Sequence, residues 1–234
     1  MTVFRLSEKI EFPPAFLAGD HGLLCVGGDL SCERILCAYR NGIFPWFSED
    51  EPILWWSPDP RLVLFPGDIK ISRSLKKKIK KNYFEITMDS AFEDVIHACA
   101  DTRTENNEGT WLVDEMIEAY TKLHKNGYAH SVEAWKNGKL AGGLYGISLG
   151  GAFFGESMFT KVSDASKTAL AGLSSFLLKL KFDFIDCQVT TEHMLSMGAV
   201  EISRNDFLRK LLKSLTKKDI KGKWVFPGFT EYFL

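Results

Sequence analysis

The chain has 234 residues, a formal net charge of −1 and an apolar fraction of 45%. That is enough for one large domain or two modest ones with a real core, and it excludes a disordered chain. Near-neutral charge also excludes capture of nucleic acid by the field of the whole molecule, so such a partner needs local basic patches, found at residues 70–81 and 210–223.

The opening stretch MTVFRLSEKIEFPP lacks the apolar run of a signal peptide, and no segment approaches the roughly 20 apolar residues that cross a bilayer. Cys25, Cys32, Cys37, Cys99 and Cys187 form no C-x-x-C pair and are odd in number, which speaks against a disulfide framework or a zinc knuckle. A cytoplasmic protein with no membrane attachment is expected.

In chain order, residues 23–26 predict a short strand, Gly27-Gly28 a turn, and Ser31 the cap of a helix that stops before Gly42. Residues 43–47 and 53–56 read as aromatic loop material. The run Ser57-Pro58-Asp59-Pro60-Arg61 is the candidate linker, since X-Pro pairs favour extended backbone. It separates a small N-terminal domain, 1–62, from a domain spanning 63–234.

Beyond it, a strand over 62–65, a helix from Ser72, a strand over 84–88, helices near 92–99 and 114–125, and a strand over 131–135 are expected. Asn137-Gly138 is a hairpin turn leading into 140–148, and Gly150-Gly151 turns into 152–157, so three antiparallel strands stand in a row. A helix over about 164–180, a strand over 184–189 and a helix over about 206–214 complete an α+β or α/β pattern.

Regular alternation places Phe184, Asp186 and Gln188 on one face of their strand and Ile185 and Cys187 on the other. A carboxylate and an amide side by side can hold or deprotonate an amine and donate to an oxyanion, or can simply pair at a sheet end. Glu156 stands among large apolar residues, where its charge requires a partner: a cationic ligand group, or an internal lysine such as Lys161 or Lys167. Leu144, Phe153, Met158 and Leu170 suit either an apolar pocket or plain core.

Trp46 and Trp111 stand beside turn residues and suit stacking on a base or locking of a loop. In the helix from Ser72, Ile71, Leu75 and Ile79 form a stripe surrounded by basic residues. Arg73, Lys76, Lys77 and Lys80 there are either a solvated face or phosphate contacts. The histidines show no metal spacing and no glycine-rich phosphate loop occurs, so no metal, ATP or dinucleotide cofactor is expected.

Three N-terminal segments, Gly27-Gly28-Asp29-Leu30, Tyr39-Arg40-Asn41-Gly42-Ile43-Phe44-Pro45-Trp46-Phe47 and Trp55-Trp56-Ser57-Pro58-Asp59-Pro60-Arg61, resemble signatures of bacterial leucyl/phenylalanyl-tRNA-protein transferases. Gly109-Thr110-Trp111, His130-Ser131-Val132-Glu133, Gly142-Gly143-Leu144-Tyr145-Gly146, Gly155-Glu156-Ser157-Met158-Phe159, Ala165-Ser166-Lys167-Thr168-Ala169-Leu170 and Asp186-Cys187-Gln188 follow in the family's order. The resemblance covers nearly the whole chain. It implies a small N-terminal domain packed on an acetyltransferase-like (GNAT) domain, with a mixed, mostly antiparallel sheet flanked by helices.

It further implies leucyl-tRNA or phenylalanyl-tRNA as donor and, as acceptor, a protein beginning with Arg or Lys that the added residue marks for degradation. By this resemblance Trp46, Trp111 and Tyr120 lie at the tRNA adenosine, and Leu144, Phe153, Met158 and Leu170 form the aminoacyl pocket. Asp186 and Gln188 match the catalytic pair, Asp186 assisting deprotonation of the amine and Gln188 stabilising the oxyanion, and Glu156 is the acidic member of the catalytic group that helps hold the acceptor. Leu144, Leu173 and Leu177 stand where Met or Phe is expected in well-known members. The implied reaction is direct aminolysis of the aminoacyl ester by the acceptor's α-amine.

Two rival readings remain at this level. An acyl-CoA N-acyltransferase is disfavoured by Thr160-Lys161-Val162-Ser163-Asp164-Ala165, which has no glycine where a pyrophosphate loop belongs. A non-catalytic RNA-binding module is disfavoured if Glu156, Asp186 and Gln188 converge in space. No coiled-coil heptads argue for a partner chain, so a monomer is expected.

Overall fold

The computed structural model describes residues 3–105 and 113–233. Strand β1 (Phe4–Arg5) pairs in parallel with β2 (Leu23–Val26). Helix α1 (Cys32–Arg40) follows, with Ser31 Oγ accepting from Arg34 N as the predicted cap. Strands β3 (Phe44–Pro45) and β4 (Leu54–Trp56) complete a small sheet in the order β1-β2-β4-β3.

The aromatic segments expected as loops are therefore strands. They are too short to show alternation, and Pro45 disguises β3, whose place at the sheet edge tolerates a residue without an N–H. What recruits them is burial: Trp55 is fully enclosed, and its Nε1 donates to Gly27 O at 2.8 Å.

The chain then enters a second sheet. β5 (Arg61–Leu64) is followed by α2 (Arg73–Lys80), capped by Ser72 and burying Leu75 and Ile79 four residues apart. Next come β6 (Glu85–Met88), α3 (Phe92–Glu105), α4 (Asp114–Lys125), β7 (Ala129–Lys136), β8 (Lys139–Leu149) and β9 (Ala152–Thr160). Helix α5 (Ala165–Lys179) leads to β10 (Phe184–Gln188), α6 (Glu192–Ser196), β11 (Val200–Ile202) and α7 (Arg204–Ser214).

The seven strands lie in the order β11-β5-β10-β9-β8-β7-β6. All neighbours are antiparallel except β9 and β10, which run parallel because α5 carries the chain back between them. The expected three antiparallel strands are β7, β8 and β9. Their first turn works because Asn137 and Gly138 both take left-handed φ, 51° and 72°, as a type I′ hairpin requires. β1, α6 and β11 went unread in the sequence, being shorter than the periods that reveal them.

Helices cover both faces of the large sheet, giving the expected α+β architecture. On one face Tyr39, Phe92, Tyr120 and Phe207 pack with Phe154 and Phe184, and the small sheet joins this same core through Trp55. On the other, Leu75, Leu170 and Trp224 pack with Leu144, Phe153 and Ile185. Adjacent residues of β9 thus feed opposite cores, as strand alternation demands. Among the described residues no helix is long and apolar enough to cross a membrane.

Candidate active site

The parallel pairing of β9 and β10 is brief. Ala152, Phe153 and Phe154 match Phe184, Ile185 and Asp186, and there the pairing stops while β9 continues alone against β8. Each strand carries one extra residue at this point. Tyr145 pairs with Ser157 and Gly146 with Gly155, which leaves Glu156 as a bulge; Asp186 pairs with Val63 and Gln188 with Leu62, which leaves Cys187 as another. Bulges twist and bend the strands that carry them, and here they flank the parting of β9 from β10.

The second bulge corrects the simple alternation. Gln188 takes φ 62°, which turns it away from Asp186. Gln188, Glu156, Ile185 and Cys187 line a cavity of about 520 Å³ between the parted strands, and Asp186 does not. Asp186 points instead to Arg61: Nε donates to Oδ1 at 2.9 Å and Nη2 to Oδ2 at 2.7 Å, with both side chains fully buried. The guanidinium also donates through Nη1 to Gly42 O at 3.2 Å and lies over the rings of Phe44 and Phe207, 4.8 and 4.4 Å from their centroids. Asp186 Oδ1 accepts a further bond from Gln188 N at 2.9 Å. The carboxylate is thus fully engaged, and what it holds is the backbone of Gln188.

Glu156 is held differently. Oε1 accepts from Tyr39 at 2.7 Å and from Gln188 Nε2 at 3.1 Å, and Oε2 accepts from Tyr120 at 2.9 Å. The two tyrosine oxygens are themselves 2.7 Å apart. The two hydroxyls have only two protons for these three close contacts, an arrangement that favours the neutral form of the carboxyl over the charged one. Burial agrees, pushing the carboxyl from 4.5 up to about 7 against the pull of the two hydroxyls. Burial and the adjacent Glu156 in turn hold both tyrosines well above their usual range. Among the described residues no lysine or arginine pairs with Glu156; Lys167 is engaged with Asp164 and Lys161 lies over Phe159.

Leu144, Phe153, Met158 and Leu170 all line the cavity, joined by Leu173 from α5. Trp46 stands at its rim, 42% exposed, its backbone carbonyl accepting from Trp56 Nε1. Trp111 lies outside the described residues. Tyr120 is fully buried, so its ring has no free face for a base, and its part in the site is the hydroxyl on Glu156. On α2, Arg73, Lys77 and Lys80 are exposed and Lys76 is half-buried, whereas Lys78 is engaged by Asp164. None of these lines the cavity. Among the described residues no cluster of His, Cys, Asp and Glu suits a metal.

Reading of single segments missed Arg61, Tyr39, Thr191 and His193, the last two of which line the cavity from the start of α6. Arg61 had one usable signal: it opens the apolar strand Arg61–Leu64, and an arginine drawn into such a strand needs an acid.

Comparison with known proteins matches two segments of the chain. A family described as "Leucyl/phenylalanyl-tRNA protein transferase N-terminal domain" matches residues 28–59, and one described as "Leucyl/phenylalanyl-tRNA protein transferase" matches residues 63–212. A leucyl/phenylalanyl-tRNA--protein transferase of Desulforapulum autotrophicum is 65% identical over 98% of this chain and 100% of its own. Those of Syntrophobacter fumaroxidans and Desulfatibacillum aliphaticivorans are 58% and 56% identical, over 92% and 96% of this chain and the same shares of their own.

Proposed function

The chain belongs to the leucyl/phenylalanyl-tRNA protein transferase family, and on that premise we propose how its site moves an aminoacyl group from tRNA to a protein. The observation that carries the reading is an apolar cavity, bounded by Leu144, Phe153, Met158 and Leu170, that also reaches Glu156 and Gln188. The side chain of the aminoacyl group, leucine or phenylalanine and less well methionine, enters that cavity. Its ester carbonyl then stands at the polar end.

Trp46, together with Trp111, stacks on the terminal adenosine, and Arg73, Lys76, Lys77 and Lys80 meet tRNA phosphates. The acceptor is a protein beginning with Arg or Lys, drawn by the carboxyl of Glu156. Its α-amine attacks the ester carbon, a tetrahedral oxyanion forms, and the bond to the ribose oxygen breaks. The amine gives up its proton to Glu156, which returns it to the departing oxygen, so no proton is gained or lost overall.

The energetics suit this division. A free α-amine has a pKa of roughly 7.7 to 8.0, and Glu156 is raised to about 7, so passing the proton from amine to carboxyl is uphill by only about one pKa unit. Gln188 donates to the developing oxyanion. Asp186 is a positioning residue that fixes Gln188 through its backbone N–H, itself held by Arg61. Holding amine and ester in near-attack geometry supplies roughly 7 to 11 kcal/mol in favourable cases. No ATP or other cofactor is required, because an aminoacyl ester already lies uphill of an amide. The protein works as a cytoplasmic monomer, a setting in keeping with cysteines that form no disulfide.

The test offers labelled leucyl-tRNA or labelled acetyl-CoA to the purified protein with a peptide beginning with Arg, and an Ala peptide as control. Label from tRNA on the Arg peptide alone is expected. Label from acetyl-CoA would overturn the donor, and tRNA binding without transfer would overturn catalysis.

A further inference from the structure

Most glycines in the strands around the cavity have a structural reason to be there. A Cβ at Gly146 would lie 2.1 Å from Phe154 O, at Gly143 2.8 Å from Val132 O, and at Gly142 2.7 Å from Ala165 Cβ. Gly155 has none. Its φ is not left-handed, and a Cβ built on it meets Asp186 O at 3.5 Å and Ile185 Cγ2 at 3.9 Å, ordinary contacts, with no other atom beyond its chain neighbours within 4 Å. A glycine inside a strand loses more conformational freedom on folding than alanine does and packs less. Here that cost has no return in the fold itself.

The position supplies the return. Gly155 lines the cavity, follows the apolar pair Phe153 and Phe154, and immediately precedes the bulged Glu156 at the point where β10 leaves β9. It therefore stands in the cavity wall between the apolar residue Phe153 and the end where Glu156 and Gln188 meet. We infer that Gly155 is a specificity-determining residue whose missing side chain leaves the cavity wide enough at this point for a group that is γ-branched or a flat ring. The inference rests on the reading of this cavity as the aminoacyl site and adds the residue that sets its width. A methyl at 155 removes that width from leucine and phenylalanine while still passing the unbranched chain of methionine.

The experiment measures transfer from leucyl-, phenylalanyl- and methionyl-tRNA to an Arg peptide by wild type, Gly155→Ala and Gly155→Ser, with thermal unfolding of each. Gly155→Ala is expected to unfold at the wild-type temperature or slightly above it. Its transfer of leucine and phenylalanine is expected to fall roughly tenfold or more relative to methionine, with Gly155→Ser behaving alike. Unchanged ratios, or equal loss for all three donors, would overturn the inference and leave the function intact. A lowered unfolding temperature in both variants would overturn it too, by giving the glycine a structural cause. No transfer by wild type from any donor would instead sink the functional reading on which it stands.

Discussion

The Arg61 guanidinium meets the Asp186 carboxylate through two parallel hydrogen bonds of 2.9 and 2.7 Å, 125 residues apart in sequence and with both side chains shut off from solvent. Such a fork is geometrically specific, and in a dry interior each ion depends on the other. The pair sits behind the cavity and anchors the backbone of Gln188, which lines it.

Removing one partner leaves a buried charge alone. Arg61→Met is expected to lower unfolding free energy by about 3 to 5 kcal/mol, a large share of a typical domain's stability. The double variant Arg61→Met with Asp186→Leu should recover most of that loss in urea titration yet stay inactive, since Gln188 N has lost its acceptor. A double variant with full transfer activity would refute the positioning role of Asp186.

Glu156 makes stability depend on pH. Its carboxyl is raised from 4.5 to about 7 on folding, so between those values the folded state holds a proton that the unfolded state has released. Stability is therefore greatest below pH 4.5 as far as this group is concerned, and it declines as pH rises toward 7, by about 3 kcal/mol in all. Glu156→Gln should flatten that slope, measured as unfolding free energy across the window.

The same group shapes the rate. Transfer should climb as pH rises through about 7, where Glu156 becomes able to take a proton. Tyr39→Phe removes a hydroxyl that favours the charged form, so the acid limb should move to higher pH. A profile in Tyr39→Phe that coincides with wild type would show that Glu156 does not govern it.

Trp46 is 42% exposed at the rim and outside the buried core, its ring 5.7 Å from that of Trp56, so Trp46→Ala should fold with little loss of stability. Loss of one stacked base is worth about 1 to 3 kcal/mol. The expected result is a KM for charged tRNA raised roughly 5- to 150-fold with little change in kcat.

The basic face of α2 makes a salt-dependent prediction. If Lys77 and Lys80, both exposed, meet phosphates, each replacement by Ala should reduce the log-log salt slope of tRNA binding by a little under one. An unchanged slope would assign that face to solvent alone.

Much of the fold could be read in advance because its signals are local. Ser31 and Ser72 cap their helices by reaching three residues ahead, and Asn137-Gly138 turns a hairpin by its own backbone preferences. The long motifs carried the family, while Leu144, Phe153, Met158 and Leu170 come to line one cavity only through the packing of β8, β9 and α5. The alternation that put Asp186 beside Gln188 failed at Cys187, because one inserted residue reverses every following side chain and nothing in the segment itself announces it.

The sequence by itself determined the elements, their order and the kinds of chemistry on offer, because capping, periodicity and turn geometry act over a few residues. Only the tertiary structure decided which acid is matched to a cation. Asp186 and Glu156 are both buried carboxyls, but one is matched to an arginine and the other to two tyrosines and an amide, and those partners come from elements far apart in the chain. The charge of a buried acid is set by what packs around it, and packing is settled when the strands take their register.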